Sequence, residues 1–260
     1  MNEILIPVLI LAGMGLILGA MLGIAAKIFA VKKDERIEAI EAILPGANCG
    51  GCGYPGCSGY ANAIVNDGVS VNLCAAGGEE TALKIGEIMG VEVSMGEKKV
   101  ARVFCSGAFD KASVKLEYKG FADCFAAKRM AGGPKECQYG CIGLGSCMGV
   151  CKFDAIHIEN GVAVVDEEKC VACGACVNKC VQNLIRLVPY DKKHGVLCSN
   201  HDRGAVAKNL CSVSCVGCKL CEKNCPEGAV TIKDNLSVVD YEKCIDCGIC
   251  SEKCPKKIIK

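Results

Sequence analysis

The chain has 260 residues, 24 of them cysteine, a density that marks a protein framed by its thiols and a length that buries one or two cores. A net charge of +1 and an aromatic content of 5% argue against the clustered basic face that nucleic-acid binding needs. With three His and no Trp, mixed Cys/His zinc sites are poorly supplied. Disulfides suit short secreted chains, whereas the recurring C-x2-C spacing here brings sulfurs around a metal.

From Ile4 to Ala26 runs "ILIPVLILAGMGLILGAMLGIAA", 23 residues without a charge. At about 1.5 Å per helical residue this crosses a hydrocarbon core of about 30 Å. A cleaved signal peptide needs positive charge before the apolar run and a cleavage site after it. Here Glu3 precedes the run, and Lys27, Lys32 and Lys33 follow it. That bias predicts an uncleaved anchor with its N-terminus outside and the rest of the chain in the cytoplasm. A reducing cytoplasm keeps thiols available as ligands. Gly13, Gly15, Gly19 and Gly23 read either as a packing face for partner helices or as ordinary membrane glycines. The stretch "DERIEAIEAILPG" predicts a short amphipathic helix closed by Pro45-Gly46.

Residues 48–57, "NCGGCGYPGC", contain Gly51-x-Gly53-x-x-Gly56, a match to the dinucleotide-binding fingerprint. That fingerprint requires a preceding strand, and what precedes here is a helix-like segment and a Pro-Gly turn. Cys49, Cys52, Cys57 and Cys74 instead give C-x2-C-x4-C-x16-C, four thiolates able to hold one 4Fe-4S cluster, with a zinc knuckle as the alternative. The glycines let the loop wrap tightly and aim N–H groups at the cluster's sulfides. Ser58 is expected to cap the following helix. Over residues 79–123 only "KVARVFC" and "SVKLEY" read as strands.

Beyond this lies an internal duplication. Residues 151–170 and 225–244 align without a gap at an offset of 74, and nine cysteines from Cys124 to Cys180 fall on nine from Cys198 to Cys254. In the second copy, Cys215, Cys218, Cys221 and Cys225-Pro226, then Cys244, Cys247, Cys250 and Cys254-Pro255, are two runs of C-x2-C-x2-C-x3-C-P. This is the bacterial two-cluster ferredoxin pattern, in which each run's fourth cysteine serves the other cluster. Cys254 is therefore assigned to Cys215, Cys218 and Cys221, and Cys225 to Cys244, Cys247 and Cys250. "AVTI" and "LSVVD" between the runs predict a hairpin.

The first copy has Leu144 where the second has Cys218. Cys137 is the expected replacement, giving Cys137, Cys141, Cys147 and Cys180 for one cluster and Cys151, Cys170, Cys173 and Cys176 for the next. Five 4Fe-4S clusters then leave Cys105, Cys124, Cys198 and Cys211 of the 24 cysteines, either a sixth cluster joining the middle segment to both copies or inert buried thiols. Cys211, Cys215 and Cys218 also form the C-x3-C-x2-C of radical S-adenosylmethionine enzymes, but Cys254 fills the place those enzymes leave open, and the chain is too short for their barrel. No nucleophile stands beside a base, so no catalytic residue is assigned. His157, His194 and His201 read as surface residues, and Asp234, Asp240, Glu242 and Asp246 as a solvated face, with partner docking the lesser reading.

The N-terminal anchor, "CGGCGYPGC", "DCFAAKRMAGGPKECQYGCIGLGSC" and the ferredoxin repeats, in that order, closely resemble the B subunits of the Rnf complex over the whole chain. The resemblance implies a subunit of an ion-translocating ferredoxin:NAD+ oxidoreductase, a translocase. It would take electrons from reduced soluble ferredoxin and relay them to flavin-carrying partner subunits, with no NAD site of its own. The fold implied is a single N-terminal transmembrane helix followed by small α+β iron–sulfur domains. Their order is an anchor (1–33), a four-Cys 4Fe-4S domain (34–95), a connecting α/β segment (96–136) and two tandem ferredoxin-like two-cluster units (137–190 and 191–260). A free-standing polyferredoxin and a zinc scaffold remain the alternatives.

Overall fold

The structure is a computed structural model and describes residues 2–28, 34–94 and 96–260. Lys32 and Lys33, and the end of the expected anchor segment, lie outside the described residues. Helix α1 (Asn2–Ile28) contains the apolar run. Its window Val8–Ala25 has a mean hydropathy of 2.5 and none of it is buried. An apolar helix that touches no core of its own needs an apolar surrounding, which a bilayer supplies.

Helix α2 (Glu35–Ile43) begins where Asp34 accepts the Arg36 N–H at 2.9 Å, and it stops before Pro45. With α3 (Cys57–Asp67) and α4 (Gly78–Met89) it forms a small helical unit around Ile37, Ile40, Leu44, Tyr60, Ile64 and Ile85. Ser58 does not cap α3. The helix already begins at Cys57, so Ser58 lies inside its first turn, and the Cys57 N–H is taken by Asn48 Oδ1 at 2.8 Å.

Strand β1 (Lys99–Val103) is followed by α5 (Cys124–Ala131), the hairpin β2 (Ile156–Glu159) and β3 (Val162–Val165), α6 (Ala175–Lys179) and β4 (Ile185–Pro189). The strand predicted at "KVARVFC" is present, and it pairs antiparallel with β4, Ala101 opposite Leu187. The strand predicted at "SVKLEY" is absent. Val114 makes one isolated bridge, to Lys135, and although Val114, Leu116 and Tyr118 alternate with polar residues, Val114 stays exposed and the segment pairs with no named strand among the described residues.

Helices α7 (Gly204–Leu210) and α8 (Leu220–Lys223), the hairpin β5 (Val230–Lys233) and β6 (Leu236–Val239), and α9 (Ile249–Glu252) complete the chain. The hairpins β2–β3 and β5–β6 have the same register 74 residues apart, Ile156 opposite Val165 and Val230 opposite Val239. The backbone repeats in finer detail too. Left-handed residues recur at that offset, among them Gly143 and Gly217, Asn160 and Asp234, Ala172 and Asp246, and Gly174 and Gly248. At Gly143 the reason is contact as well as φ, since a β-carbon there would collide with the Gly161 backbone. Two separate cores sit on the hairpins, one around Ile156, Val162 and Ile185, the other around Val230, Leu236 and Ile258. Residues 111–113 lace them together, because Ser113 N–H donates to Leu210 O, Ser212 N–H to Lys111 O and Glu136 N–H to Ser113 O.

Candidate metal centres

Sulfur supplies the polar lining of the cores, and it collects in groups of four. Cys49, Cys52, Cys57 and Cys74 line one cavity beneath the α2–α3 loop. Tyr60, 1% exposed, braces the loop that carries Cys74. Its hydroxyl donates to Ser70 O at 2.7 Å and accepts the Leu73 N–H at 3.1 Å. Cys173, from the first repeat, reaches the rim of this same cavity. Lys152 Nζ fastens the two units by donating to Ala47 O at 2.8 Å and Asn48 O at 2.9 Å.

Cys225, Cys244, Cys247 and Cys250 line a second cavity, the crosswise grouping expected from the spacing. His194 lines it too and is not a plain surface residue, as its ring bonds Asp246 at 2.9 Å. The Asp246 carboxylate also accepts the N–H groups of Lys193 at 3.0 Å and His194 at 2.8 Å, so it belongs to this loop and not to a solvated face. Cys215 and Cys221 are buried in the same core as partly buried Cys254, and the Cys215 and Cys218 thiols act on Cys221. In the first repeat the Cys170, Cys173 and Cys151 thiols all act on Cys176, whose own thiol burial and these neighbours push up to about 11.

The structure regroups the remaining thiols. Cys141, Cys147 and Cys180 share their cavity with Cys124, not with Cys137. Asp123 caps α5 by accepting the Ala126 N–H at 2.8 Å, Ser146 Oγ donates to Asp123 at 3.0 Å, and the Cys124 N–H donates to Ser146 Oγ at 2.7 Å. That chain of bonds sets Cys124 beside Cys147. Burial first, then Cys141, Cys124 and Cys180, push the Cys147 thiol up to about 12. Cys137 faces the other way and lines a fourth cavity with Cys105, Cys198 and Cys211. Asn200, 2% exposed, donates to Cys137 Sγ at 3.7 Å.

Among the described residues no three His, Cys, Asp or Glu side chains converge on a point that would hold a single ion. Four thiols standing back around a cavity suit a polynuclear cube, and an all-sulfur donor set is that of iron–sulfur clusters. Backbone N–H groups point at these sulfurs, each at 3.4 Å: Ala101 to Cys170, Cys141 to Cys105, Ala155 to Cys151, Leu184 to Cys180, Cys215 to Cys198 and Asp246 to Cys244. Such bonds favour the more negative, reduced state of a bound cluster.

Two family models match the chain, one described as an Fe-S cluster family over residues 44–76 and one as a 4Fe-4S dicluster domain over residues 214–259. The B subunit of the Na(+)-translocating ferredoxin:NAD(+) oxidoreductase complex of Acetobacterium woodii is 45% identical, covering 94% of this chain and 73% of the relative. The B subunit of the ion-translocating oxidoreductase complex of Methanosarcina acetivorans is 41% identical over 94% of this chain and 93% of its own. The chain belongs to the family of Rnf complex B subunits. The proton-translocating counterpart from Clostridium ljungdahlii is 38% identical over 92% of this chain and 85% of its own. As a member of that family the chain is a membrane-associated iron–sulfur electron-transfer subunit of an ion-translocating ferredoxin:NAD+ oxidoreductase.

What spacing alone did not show is that Cys124, and not Cys137, lines the cavity of Cys141, Cys147 and Cys180. The residues that hold it there are Asp123, which caps α5, and Ser146, which adjoins Cys147 and bonds both the Asp123 carboxylate and the Cys124 N–H.

Proposed function

We propose that this chain carries six 4Fe-4S clusters that form a continuous relay across the molecule. The ligand sets are Cys49, Cys52, Cys57 and Cys74; Cys151, Cys170, Cys173 and Cys176; Cys124, Cys141, Cys147 and Cys180; Cys105, Cys137, Cys198 and Cys211; Cys215, Cys218, Cys221 and Cys254; and Cys225, Cys244, Cys247 and Cys250. The observation that carries the reading is that four separate cavities each take in one complete set of four thiols, with Cys173 a fifth at the N-terminal one. When bound, the clusters supply one-electron transfer. The chain's own residues hold the centres in sequence, donate N–H groups to their sulfurs and keep water away from the inner ones.

Neighbouring centres are linked by short covalent or hydrogen-bonded steps. Cys173 reaches the rim of the N-terminal cavity, the Cys141 N–H donates to Cys105 Sγ, and the Cys215 N–H donates to Cys198 Sγ. Cys218 and Cys247, the exposed thiols of the set, make the second repeat the accessible end for a soluble donor. In keeping with the names of its relatives, that donor is reduced ferredoxin, and the acceptors are flavin-bearing subunits of the same complex. The tandem two-cluster units, residues 137–190 and 191–260, lie in the cytoplasm with the N-terminus of α1 outside, as the charge bias of Glu3 and Lys27 favours.

The test is the iron, zinc and acid-labile sulfide content of the anaerobically purified, detergent-solubilised chain. About four iron per site gives about 24 with matching sulfide for six cubes, whereas about 20 would return the mid-chain thiols to plain cysteines and zinc in place of iron would overturn the electron-transfer reading.

A further inference from the structure

Lys135 is 3% exposed, and among the described residues no carboxylate pairs with it. Its Nζ donates to Cys141 O at 2.9 Å and Gly161 O at 2.7 Å and stands 5.0 Å from the centroid of the Phe109 ring. Two carbonyl dipoles and one ring face offset only part of the cost of burying an ammonium, which is high unless an opposite charge accompanies it. Thiol ligation by itself gives this charge no role.

The groups that act on it are sulfurs. Cys105, Cys137, Cys198 and Cys211 line the same cavity as Lys135, and the carbonyl of Cys141 accepts from its Nζ. As free thiols these cysteines are poor counter-ions, since a thiol is neutral below its ordinary pKa of about 8.5. Held to a 4Fe-4S core they are thiolates, and the whole assembly is an anion that gains one further negative charge on reduction.

We propose that Lys135 is the counter-ion of the mid-chain cluster held by Cys105, Cys137, Cys198 and Cys211, and that its charge raises that cluster's reduction potential. The inference rests on the assignment of a cluster to that cavity. Lys135 lines the cavity itself, and it is tied to the neighbouring centre through a single residue. The peptide of Cys141 offers its carbonyl to Lys135 and its N–H to Cys105 Sγ, while its thiol lines the adjoining cavity. An electron that leaves one centre oxidises it by one and reduces the next by one, so a fixed cation at this junction biases where the electron rests. The middle of the relay becomes a holding point between the two repeats.

The test uses the full-length protein in detergent, prepared anaerobically, with iron and sulfide analysis and a redox titration followed by electron paramagnetic resonance. Cys198→Ser identifies the couple of this site, because it should remove about four iron and one couple. Lys135→Met should keep all iron and move that same couple to lower potential. At a fixed ambient potential its reduced-to-oxidised ratio should fall about tenfold, which is about 59 mV for one electron. Lys135→Gln, which retains a donor for the two carbonyls, carries the same expectation where the methionine variant does not fold. Lys135→Arg should hold the couple near its native value. A neutral variant with full iron and an unmoved couple overturns the proposal, as does an arginine variant that shifts as far as the neutral ones. Full iron in Cys198→Ser instead overturns the cluster assignment beneath it.

Discussion

Gly51 packs so closely on Cys173 that a β-carbon on it would stand 2.8 Å from the Cys173 carbonyl oxygen and 2.9 Å from its α- and β-carbons. These are backbone atoms and a side-chain root, so nothing flexible can yield. Gly51→Ala is expected to prise the N-terminal unit away from the first repeat while leaving both sets of thiols intact. Iron content should stay at the native level, and the rate at which the N-terminal cluster equilibrates with the others after rapid reduction should fall. An alanine variant with native kinetics would show that this contact does not carry the electron.

The regrouping of Cys124 and Cys137 makes a prediction about additivity. Cys124→Ser and Cys147→Ser act on one site, so the double variant should lose no more iron than either single one, about four per chain. Cys124→Ser with Cys105→Ser acts on two sites and should lose about eight. If Cys137→Ser and Cys147→Ser together lose only about four, the pairing read from spacing is restored.

Tyr60 tests how the ligand loop is held. Tyr60→Phe keeps the ring in its core and removes both hydroxyl bonds, leaving the Leu73 N–H and Ser70 O unpaired. A loss of about 1–3 kcal/mol is expected, seen as a lower denaturant midpoint. The N-terminal cluster should also bleach faster than the others, because Leu73 adjoins Cys74. Uniform bleaching of all clusters would show that the hydroxyl stabilises the fold without steadying this loop.

Acid sensitivity should trace in part to Glu167. Burial alone would raise its carboxyl, but the hydrogen bonds and charges of Arg102, at 2.8 Å, and Lys193, at 3.3 Å, hold it below its ordinary value. A carboxyl with a lowered folded pKa stabilises the fold above its unfolded value, and that contribution is lost as pH falls through the folded one. Glu167→Gln should therefore be less stable than the native chain at neutral pH, and the gap should close on acidification below the ordinary value of 4.5. Thermal melts across that range check it, and a constant gap would rule out the ionic origin.

Removing residues 1–33 should abolish membrane association and leave the iron content unchanged, since no residue of α1 in the window Val8–Ala25 is buried against the remainder. Fractionation of the truncated and full-length chains tests this directly. A truncated chain that stays in the membrane fraction points to a second attachment.

The cysteine runs were legible because their chemistry is local. Cys215 to Cys225 and Cys244 to Cys254 are contiguous, and the spacing alone implies the turn that gathers them. The hairpins were legible for the same reason, with "AVTI" and "LSVVD" separated by the left-handed pair Asp234 and Asn235. Cys124 was not, because its partner is chosen by a helix cap and a serine more than twenty residues away. Helix α4 also escaped. Its buried positions Thr81, Ala82, Ile85 and Gly86 include only one large apolar residue, too weak a stripe to stand out. The pairing of β1 with β4 joins residues about 85 positions apart in sequence, and nothing in either strand names the other.

The central cavity draws on Cys105, Cys137, Cys198 and Cys211, whose span exceeds a hundred residues, whereas Cys49 to Cys74 lie within one short stretch. Contacts so far apart close late, because a long loop must be ordered before they form. During synthesis the N-terminal set of thiols is complete once α3 and the following turn have left the ribosome, while the central set waits for Cys211 in the second repeat. A chain stopped just before Cys211 would therefore keep the N-terminal set of four thiols whole and leave the central cavity one thiol short, with the C-terminal sets not yet made.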